Sequence, residues 1–272
     1  MNLMSSSNSA NNWIFRPRPN PRSALRLFCN PFAGGGASAY RSWSDVLPRT
    51  VEVCPVQLPG RETRLKEQAY SDVRPLVDAL ASALIPMLDK PFALFGHSMG
   101  ALVAFELARK LRRDHNLLPE RLFVSARVAP SVSLKHPPLN NLPDDQLIDE
   151  LARLNGTGKD VLQHKELMKL ILPTLRADLA LHELYRYSEE PLLECPIVVF
   201  GGLHDPKTDN EGLDAWRNHT AGLFTKRLLP GDHFFISSSQ SSFLNIFALE
   251  LQRVIAALGS RTAPAHCSMQ TV

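Results

Sequence analysis

The fold of this chain is decided by residues 92–105, FALFGHSMGALVAF. A short apolar run leads into Gly96-His97-Ser98-Met99-Gly100, and a run with helical character follows. Glycines two before and two after the serine permit a tight turn, because a Cβ at either position would clash with the neighbouring strand and helix. The turn lifts the serine hydroxyl out of the fold. A Gly-x-Ser-x-Gly motif between a strand and a helix therefore predicts that Ser98 is a nucleophile.

Short apolar segments alternate with longer helical patterns on both sides of this motif. We predict strands at 25–29, 51–56, 92–95, 122–126, 197–200 and 225–229, and helices at 72–88, 101–112 and 243–258. Such alternation is typical of a mostly parallel sheet with helices on both faces. Together with the serine motif, it predicts an α/β fold of the α/β-hydrolase type.

One interval interrupts the alternation. Residues 142–187 have helical character twice, first from Pro143-Asp144 to a stop near Gly156 and then over 165–185. So long a helical insertion cannot all cover the sheet, and in hydrolases such an insertion commonly forms a lid over the site. The alternative is an extra pair of packing helices without a gating role. Periodicity does not separate the two, so the lid at about 142–187 is an expectation.

Length and the two ends define the expected domain organisation. A chain of 272 residues has the size of a single α/β domain. Residues 1–22 are rich in Ser, Asn and Pro, and residues 259–272 are also polar, so we expect a disordered leader and a flexible tail around a catalytic domain at 23–258. The first acidic residue is Asp45, which leaves a targeting segment open, but a solvated leader of a cytoplasmic protein is favoured.

Composition argues against several classes of protein. The net charge is only +3, from 30 basic and 27 acidic residues, and no long basic run favours nucleic acid binding. No run of 18 apolar residues suggests a membrane span. The four cysteines, Cys29, Cys54, Cys195 and Cys267, show no CxxC spacing and fit a reducing compartment. We expect a cytoplasmic monomer that needs no cofactor and no metal.

The general base is predicted from the positions of the histidines, because a serine hydroxyl needs a base that usually comes later in the chain. The chain has nine histidines. One lies inside the serine motif, and others lie in the helical insertion or the polar tail. His233 instead follows a predicted strand and the turn Pro230-Gly231-Asp232, where a loop can lean over the sheet edge towards Ser98. His233 is therefore the predicted base.

The third member of a triad must accept a hydrogen bond from the other ring nitrogen of the histidine. Some hydrolases place it after the strand that follows the serine helix, but no Asp or Glu lies between Glu120 and Asp144. The next strand leads into Gly202-Leu203-His204-Asp205-Pro206, at the end of the sheet where such folds carry their sites. We predict Asp205, with Asp209 as the alternative, and interpret Asp232 as a turn former.

Two backbone N–H groups should stabilise the oxyanion that forms when a carbonyl is attacked. One is expected from Met99, directly after the nucleophile at the start of a helix. The other is expected from Phe32 or Ala33 in the loop NPFAGGG at 30–36, where consecutive glycines let the backbone approach a ligand. The loop lacks the GK[ST] ending of a phosphate-binding loop.

Five strings of sequence occur together in a fixed order. They are PFAGG at 31–35, LPGRE at 58–62, GHSMG at 96–100, LRAD at 175–178 and GDHF at 231–234. With them, the chain resembles over roughly 25–258 the type II (editing) thioesterases of polyketide and nonribosomal peptide assembly lines. It also resembles the related enzymes that release medium-chain acyl groups from fatty acid synthase. Ser98, Asp205 and His233 fall where the triad of that family falls.

The resemblance implies a substrate and a partner. The substrate would be an acyl group held as a thioester on the phosphopantetheine arm of an acyl or peptidyl carrier protein, and hydrolysis would free a stalled carrier. No second domain could serve as the carrier, so the carrier is expected to arrive in trans. Arg61 and Arg176 match family motif positions, but the sequence leaves open whether they contact phosphate or brace the lid.

Other functions use the same residues. A carboxylesterase or lipase would apply the triad to a free ester, and an acyltransferase would pass the acyl group to an alcohol or amine while excluding water. A protein that binds an acyl carrier without turnover belongs to a different class. The presence of Ser, His and Asp together argues against it, since binding alone does not require all three.

Overall fold

A parallel sheet forms the centre of the computed structural model, which describes residues 12–154 and 158–262. Its strands are β1 (Leu25–Asn30), β2 (Val51–Pro55), β3 (Phe92–His97), β4 (Arg121–Ser125), β5 (Ile197–Gly202) and β6 (Phe224–Leu229). The order is β2-β1-β3-β4-β5-β6, and every pair of neighbours is parallel. Each predicted strand is present, and the predicted α/β fold is confirmed.

Helices connect the strands and cover the sheet. In the described residues the α-helices are α1 (Trp43–Val46), α2 (Val73–Leu84), α3 (Met99–His115), α4 (Asp144–Arg153), α5 (Lys159–Gln163), α6 (Lys165–Glu183), α7 (Asn210–Asp214), α8 (Phe235–Ser238) and α9 (Gln240–Thr262). Short 3₁₀ helices lie at Ala37–Tyr40, Glu62–Arg64, Ile85–Met87 and Ala215–His219. The three predicted helices correspond to α2, α3 and α9.

The sheet has a hydrophobic layer on each face. Successive side chains of a strand point to opposite faces, so Leu94 packs in one layer with α2 and α3, whereas Ala93 and Phe95 pack in the other with α1 and α9. The second layer is rich in aromatic rings, and the ring of Phe95 lies 5.3 Å from that of Phe247. Packing in both layers fixes the position of β3, and therefore that of Ser98, which directly follows it.

Helix α9 is long and apolar enough to cross a membrane by length and composition, with a mean hydropathy of 1.3 over its most apolar window. Its Phe243, Phe247 and Leu251 are fully buried against the sheet. A third of the apolar window is buried in this way, and one such helix by itself is weak grounds for a membrane span.

The ordered fold begins earlier than the sequence indicated. Ile14 is buried and forms an antiparallel bridge with Val56, next to the carboxyl end of β2. Arg16 pairs with Glu52, whose side chain is fully buried. The described part of the expected leader, residues 12–22, is therefore packed on the domain, because a buried carboxylate needs a cationic partner. Residues 1–11 lie outside the described residues.

The end of the chain and the insertion also differ from expectation. Helix α9 continues through Gly259 to Thr262, so the expected tail starts later, and 263–272 lie outside the described residues. The insertion holds three helices, α4, α5 and α6, where two were expected, and the expected stop at Gly156 is outside the described residues. The insertion forms a separate hydrophobic cluster with Leu139, which lies just before it, and the members within the insertion are Leu147, Leu151, Met168, Leu172, Leu175 and Leu179.

The strand order places a crevice at one point of the sheet. From β1 the chain goes to β2 on one side, and it then crosses to β3 on the other side of β1. The strands β3 to β6 follow in order from there, so the direction of strand addition reverses between β1 and β3. In open parallel sheets, ligands bind outside the carboxyl ends of the strands at such a point. The loop after β1 and the turn after β3 therefore face each other there.

Candidate active site

Ser98 occupies a strained turn between β3 and α3. Its backbone has φ 54° and ψ −116°, a conformation that L-residues rarely adopt. A Cβ added at Gly96 would lie 1.9 Å from the carbonyl oxygen of Gly100, and one added at Gly100 would lie 2.2 Å from that of Asn30. The close approach of strand, turn and helix thus requires both glycines, and Ser98 is half-buried at the sheet edge.

The structure brings Ser98, His233 and Asp205 into one hydrogen-bonded chain. The distance from Ser98 Oγ to His233 Nε2 is 3.0 Å. His233 Nδ1 lies 2.9 Å from Asp205 Oδ2 and 3.0 Å from Asp205 Oδ1. Asp205 and His233 are both buried. The carboxylate can fix the ring so that Nε2 accepts the serine proton, which is the arrangement of a serine nucleophile with its base.

Asp205 is oriented by its own loop. Its Oδ1 accepts the N–H of Lys207 at 2.8 Å, and its Oδ2 accepts the hydroxyl of Thr208 at 2.9 Å. These bonds satisfy the remaining acceptor positions of a buried carboxylate and hold it towards His233.

The two other aspartates considered from the sequence have structural contacts. Asp209 is the N-cap of α7, where Oδ1 accepts the N–H of Gly212 at 2.6 Å, and it also pairs with Lys135. Asp232 Oδ1 accepts the N–H of Phe234 at 2.9 Å within the turn that carries His233. Both contacts are typical of Asp side chains that stabilise helix starts and turns.

His97 supports the site from beneath. It is completely buried, its Nδ1 lies 2.9 Å from Ser125 Oγ, and its ring lies 5.5 Å from the ring of His233. Burial, reinforced by the nearby His233, holds the pKa of His97 well below its usual value. A neutral ring therefore packs under the triad and adds no competing charge.

The expected oxyanion donors lie on the two sides of the crevice. Met99 is the first residue of α3, where backbone N–H groups have no acceptor within the helix. Phe32 and Ala33 follow β1, and the ring of Phe32 lies 5.9 Å from His97 and 5.0 Å from Phe234. These ring contacts fasten the loop after β1 to both the serine turn and the histidine loop. The arrangement is consistent with two N–H groups converging near Ser98.

Arg61 and Arg176 both make contacts with the insertion. Arg61 forms a two-pronged ion pair with Asp178 of α6, at 2.6 and 2.8 Å. Arg176 donates to the carbonyl oxygens of Asn140 and Leu142, at 2.7 and 2.6 Å. The bracing interpretation of the two arginines fits these contacts. Asp178 was not predicted as a site residue, although an acidic residue between Leu175 and Leu179 on the apolar side of a helix is a signal for a buried carboxylate.

A small cavity of about 90 Å³ adjoins Ser98 and His233. A larger one of about 480 Å³ lies beside it. Both are lined by Arg127, Leu134, His136, His182 and Glu183. The insertion therefore contributes a wall of the space next to the nucleophile, through the end of α6.

Part of this wall is polar, which the sequence analysis missed. Burial lowers the pKa of Arg127 to about 10, and burial together with the nearby Arg127 lowers the pKa of His182 to about 3. His182 Nδ1 lies 3.3 Å from Arg127 Nη1, so the neutral ring accepts a hydrogen bond from the guanidinium. Arg127 could have been predicted as a residue near the site from its position just after the carboxyl end of β4, where such sheets carry their sites.

Comparison with known proteins identifies relatives over most of the chain. A thioesterase-domain family matches residues 25–249. The gramicidin S biosynthesis protein GrsT of Aneurinibacillus migulanus is 43% identical over 246 residues, 90% of this chain and 96% of GrsT. The thioesterase PikA5 of Streptomyces venezuelae is 39% identical, covering 86% of this chain and 83% of PikA5.

Solved structures agree with the sequence comparison. The type II thioesterase BorB from the borrelidin biosynthetic cluster superposes with a TM-score of 0.81 at 38% identity. The match covers 88% of this chain and 97% of BorB. Fold and sequence therefore point to the same group of proteins.

Proposed function

The chain belongs to the thioesterase family and is an acyl thioester hydrolase, and we propose that Ser98, His233 and Asp205 are its catalytic triad. The proposal rests on one observation above all, the unbroken path of hydrogen-bond distances from Ser98 Oγ through the His233 ring to Asp205. A serine with no adjacent base is a weak nucleophile, and this geometry supplies the base.

The reaction runs in two halves. Ser98 Oγ attacks the thioester carbonyl carbon while its proton moves to His233 Nε2, and the developing oxyanion accepts hydrogen bonds from Met99 N–H and from Phe32 or Ala33 N–H. The carbon–sulfur bond then breaks, and the thiol leaves with the proton from His233. Water attacks the acyl-serine, His233 takes a proton from it and returns that proton to Ser98 Oγ. Apart from the thioester and water, every group used is a side chain or backbone N–H of this chain.

The proposed substrate and partner are based on the family and on the biosynthetic pathways for which its members are named. GrsT and BorB are named for the biosynthesis of gramicidin S and borrelidin. We propose that this chain likewise serves a polyketide, nonribosomal peptide or fatty acid synthase, and removes acyl groups from the phosphopantetheine arm of a carrier protein that docks in trans. The insertion at 142–187 would then act as the lid over the acyl group, because its α6 lines the space beside Ser98.

Monomeric action in the cytoplasm is also proposed. Cys29, Cys54 and Cys195 are free thiols that are buried in the fold. Burial raises the pKa of Cys195 to about 12, so this thiol stays protonated. Free, unreactive thiols suit a reducing compartment, where the carriers of such synthases would be met.

A matched pair of substrates tests the substrate class. The same acyl group is presented as a carrier-bound thioester and as the corresponding oxygen ester, and kcat/KM is measured for both with the wild type and with Ser98→Ala. We expect the thioester to react faster, and Ser98→Ala to hydrolyse neither above background. Markedly faster turnover of the oxygen ester would instead identify a carboxylesterase.

A further inference from the structure

We infer that Asp178 of the insertion is a positioning residue for the oxyanion loop at 31–36, and that Arg61 acts with it. The inference rests on the proposed role of that loop in binding the oxyanion. Asp178 lies on α6, 144 positions along the chain from the loop that it contacts. It connects the part of the fold that covers the site to the part that would stabilise charge there.

Asp178 and Arg61 bind two neighbouring backbone groups of the loop, one N–H and one carbonyl oxygen. Asp178 Oδ2 accepts the N–H of Gly34 at 2.7 Å, directly after the predicted donors Phe32 and Ala33. Arg61 Nη1 donates to the carbonyl oxygen of Gly35 at 3.2 Å. The Arg61 and Asp178 side chains are in turn bonded to each other at 2.6 and 2.8 Å. The carboxylate and the guanidinium therefore form a clamp around Gly34 and Gly35.

The clamp lies inside the protein. Only 7% of the Arg61 side chain and 2% of the Asp178 side chain are exposed. In such surroundings a charge-assisted hydrogen bond is stronger than in water, and a two-pronged Arg–carboxylate pair also fixes orientation. Gly34 has φ +75°, and a Cβ added there would lie only 3.2 Å from Leu175 Cδ1 of the same helix, which leaves the loop little freedom beneath α6.

A second contact ties α6 to the loop that carries Arg61. Thr174 Oγ1 donates to the carbonyl oxygen of Gly60 at 2.7 Å. Displacement of α6 would break this bond and remove the acceptor of Gly34 N–H at the same time. Docking of α6 therefore holds the Gly34 side of the oxyanion loop, in addition to the ring contacts of Phe32, so the covering helix and the oxyanion site are coupled.

The arrangement offers a matched control on the same helix. Arg176 lies two positions before Asp178, and its hydrogen bonds go to Asn140, Leu142 and Asp144 instead of the loop at 31–36. Arg176→Gln weakens the insertion but leaves the clamp intact. The double variant Arg61→Met with Asp178→Leu removes the clamp without leaving an unpaired buried charge. Asp178→Asn is the conservative variant, because its amide oxygen can still accept from Gly34.

The test measures kcat and KM on a carrier thioester and on a p-nitrophenyl ester, and the affinity for a trifluoromethyl ketone that adds to Ser98 and places an oxyanion in the site. We expect the double variant to lose kcat on the order of 10- to 100-fold while KM changes by less than about twofold, since misplaced donors act on the transition state. Ketone affinity should fall by a similar factor. Asp178→Asn should lose about three- to tenfold, and Arg176→Gln less than about twofold.

Several outcomes overturn the inference. They are a folded double variant that keeps its kcat, a loss confined to KM, unchanged ketone affinity, and an equal loss of kcat in Arg176→Gln. If the double variant does not fold, Asp178→Asn decides the matter, and an unchanged kcat in that variant is contradictory. Failure of the proposed function is distinguishable because it would appear in the wild type before any variant is compared, either as hydrolysis of neither substrate or as markedly faster turnover of the oxygen ester.

Discussion

Asp205 and Asp209 lie four positions apart in one loop but have different partners. Asp205 bonds the ring of His233, whereas Asp209 caps α7 and pairs with an exposed lysine. A carboxylate that orients a histidine also stabilises the imidazolium that forms during the reaction, and a helix cap contributes only to stability. The two residues are therefore a natural pair for testing the proposed triad.

Asp205→Asn should lower kcat on the order of 10³- to 10⁴-fold, because the amide favours the wrong ring tautomer of His233. Asp209→Asn should change kcat by less than about twofold, because Asn is as good an N-cap as Asp. Steady-state kinetics on one thioester gives both values. An equal loss in the two variants, or a loss below about tenfold in Asp205→Asn, would remove Asp205 from the triad.

At the residue scale, chain order was enough to select three side chains that lie next to one another in the structure. Ser98 follows from its motif, and His233 and Asp205 follow from their positions after predicted strands, and the structure brings these three side chains together. Asp178 and Arg61 could not be paired in advance, because their contact joins positions 117 apart. Such a contact depends on how the insertion docks, and local sequence does not encode that docking.

At the scale of elements, the serine turn depends on two close approaches of backbone to backbone, at Gly96 and at Gly100, that leave no room for a side chain. An added Cβ at Gly96 would overlap backbone atoms, which cannot move aside as a flexible side chain can. Gly259, within α9, has no neighbouring atom within 4 Å of an added Cβ. The two glycines therefore respond oppositely to the same substitution.

Gly96→Ala should lower the free energy of unfolding by about 3 kcal/mol or more, because backbone in β3 and α3 must separate. Gly259→Ala should raise it by about 0.5–1 kcal/mol, because alanine favours helix more than glycine does. Urea unfolding monitored by circular dichroism gives both values. A Gly96→Ala variant as stable as the wild type would contradict the turn geometry.

Residues 12–22 are the described part of the N-terminal segment, and they differ from the prediction. The Ser, Asn and Pro content predicted disorder, but Ile14 bridges Val56 just after β2, and Arg16 pairs with Glu52 of β2. Burial opposes ionisation of Glu52, yet hydrogen bonds from Arg16 and Arg26 outweigh it and lower the pKa of Glu52. Composition reports average polarity, so it could not reveal that one buried glutamate in a strand pairs with a cation of the N-terminal segment as well as with Arg26 of the sheet.

Arg16→Gln should lower the free energy of unfolding by about 1–2 kcal/mol, because it removes one partner of a buried carboxylate. Arg18→Gln is the matched control two positions away. Its pair with Asp45 is exposed, 66% and 53%, so we expect less than about 0.5 kcal/mol. Chemical unfolding of the two variants under one set of conditions provides the comparison. Equal effects would mean that the segment is not held through Glu52.

For the whole molecule, buried histidines set the response to acid. The pKa of His219 is lowered to about 4, chiefly by burial and also by Arg109, and that of His182 is lowered to about 3. His97 shifts in the same direction. A histidine in the unfolded chain titrates near pH 6.5, so the unfolded state binds the proton first as the pH falls. Stability from these groups is present above about pH 6.5 and is lost towards pH 4.

The wild type should therefore lose stability between pH 7.5 and pH 5, by up to about 1.4 kcal/mol per pH unit for each such histidine. His219→Gln should flatten this dependence. Urea midpoints at several pH values measure the slopes. A wild type whose stability is constant over this range, or a His219→Gln slope equal to the wild-type slope, would contradict the account.

The architecture of the whole molecule was largely predictable, because strand length, helix period and strand-end motifs all agree on one sheet. The insertion was recognised as an interruption of the β–α alternation, and its docking was not predictable. Leu147, Leu151 and Leu172 pack with one another within the insertion, so their periodicity is the same whether the helices cover a site or extend the core.

The central claim is that an acyl group passes from the carrier to Ser98 and then to water. Rapid mixing of the enzyme with an acyl-carrier thioester, followed by acid quenching and intact-protein and peptide mass spectrometry, tests it most directly. We predict a transient gain of the acyl mass on the peptide that contains Ser98, formed and lost at rates that account for turnover and absent from Ser98→Ala. Turnover that persists in Ser98→Ala, or an acyl group that accumulates on another residue, would contradict the account.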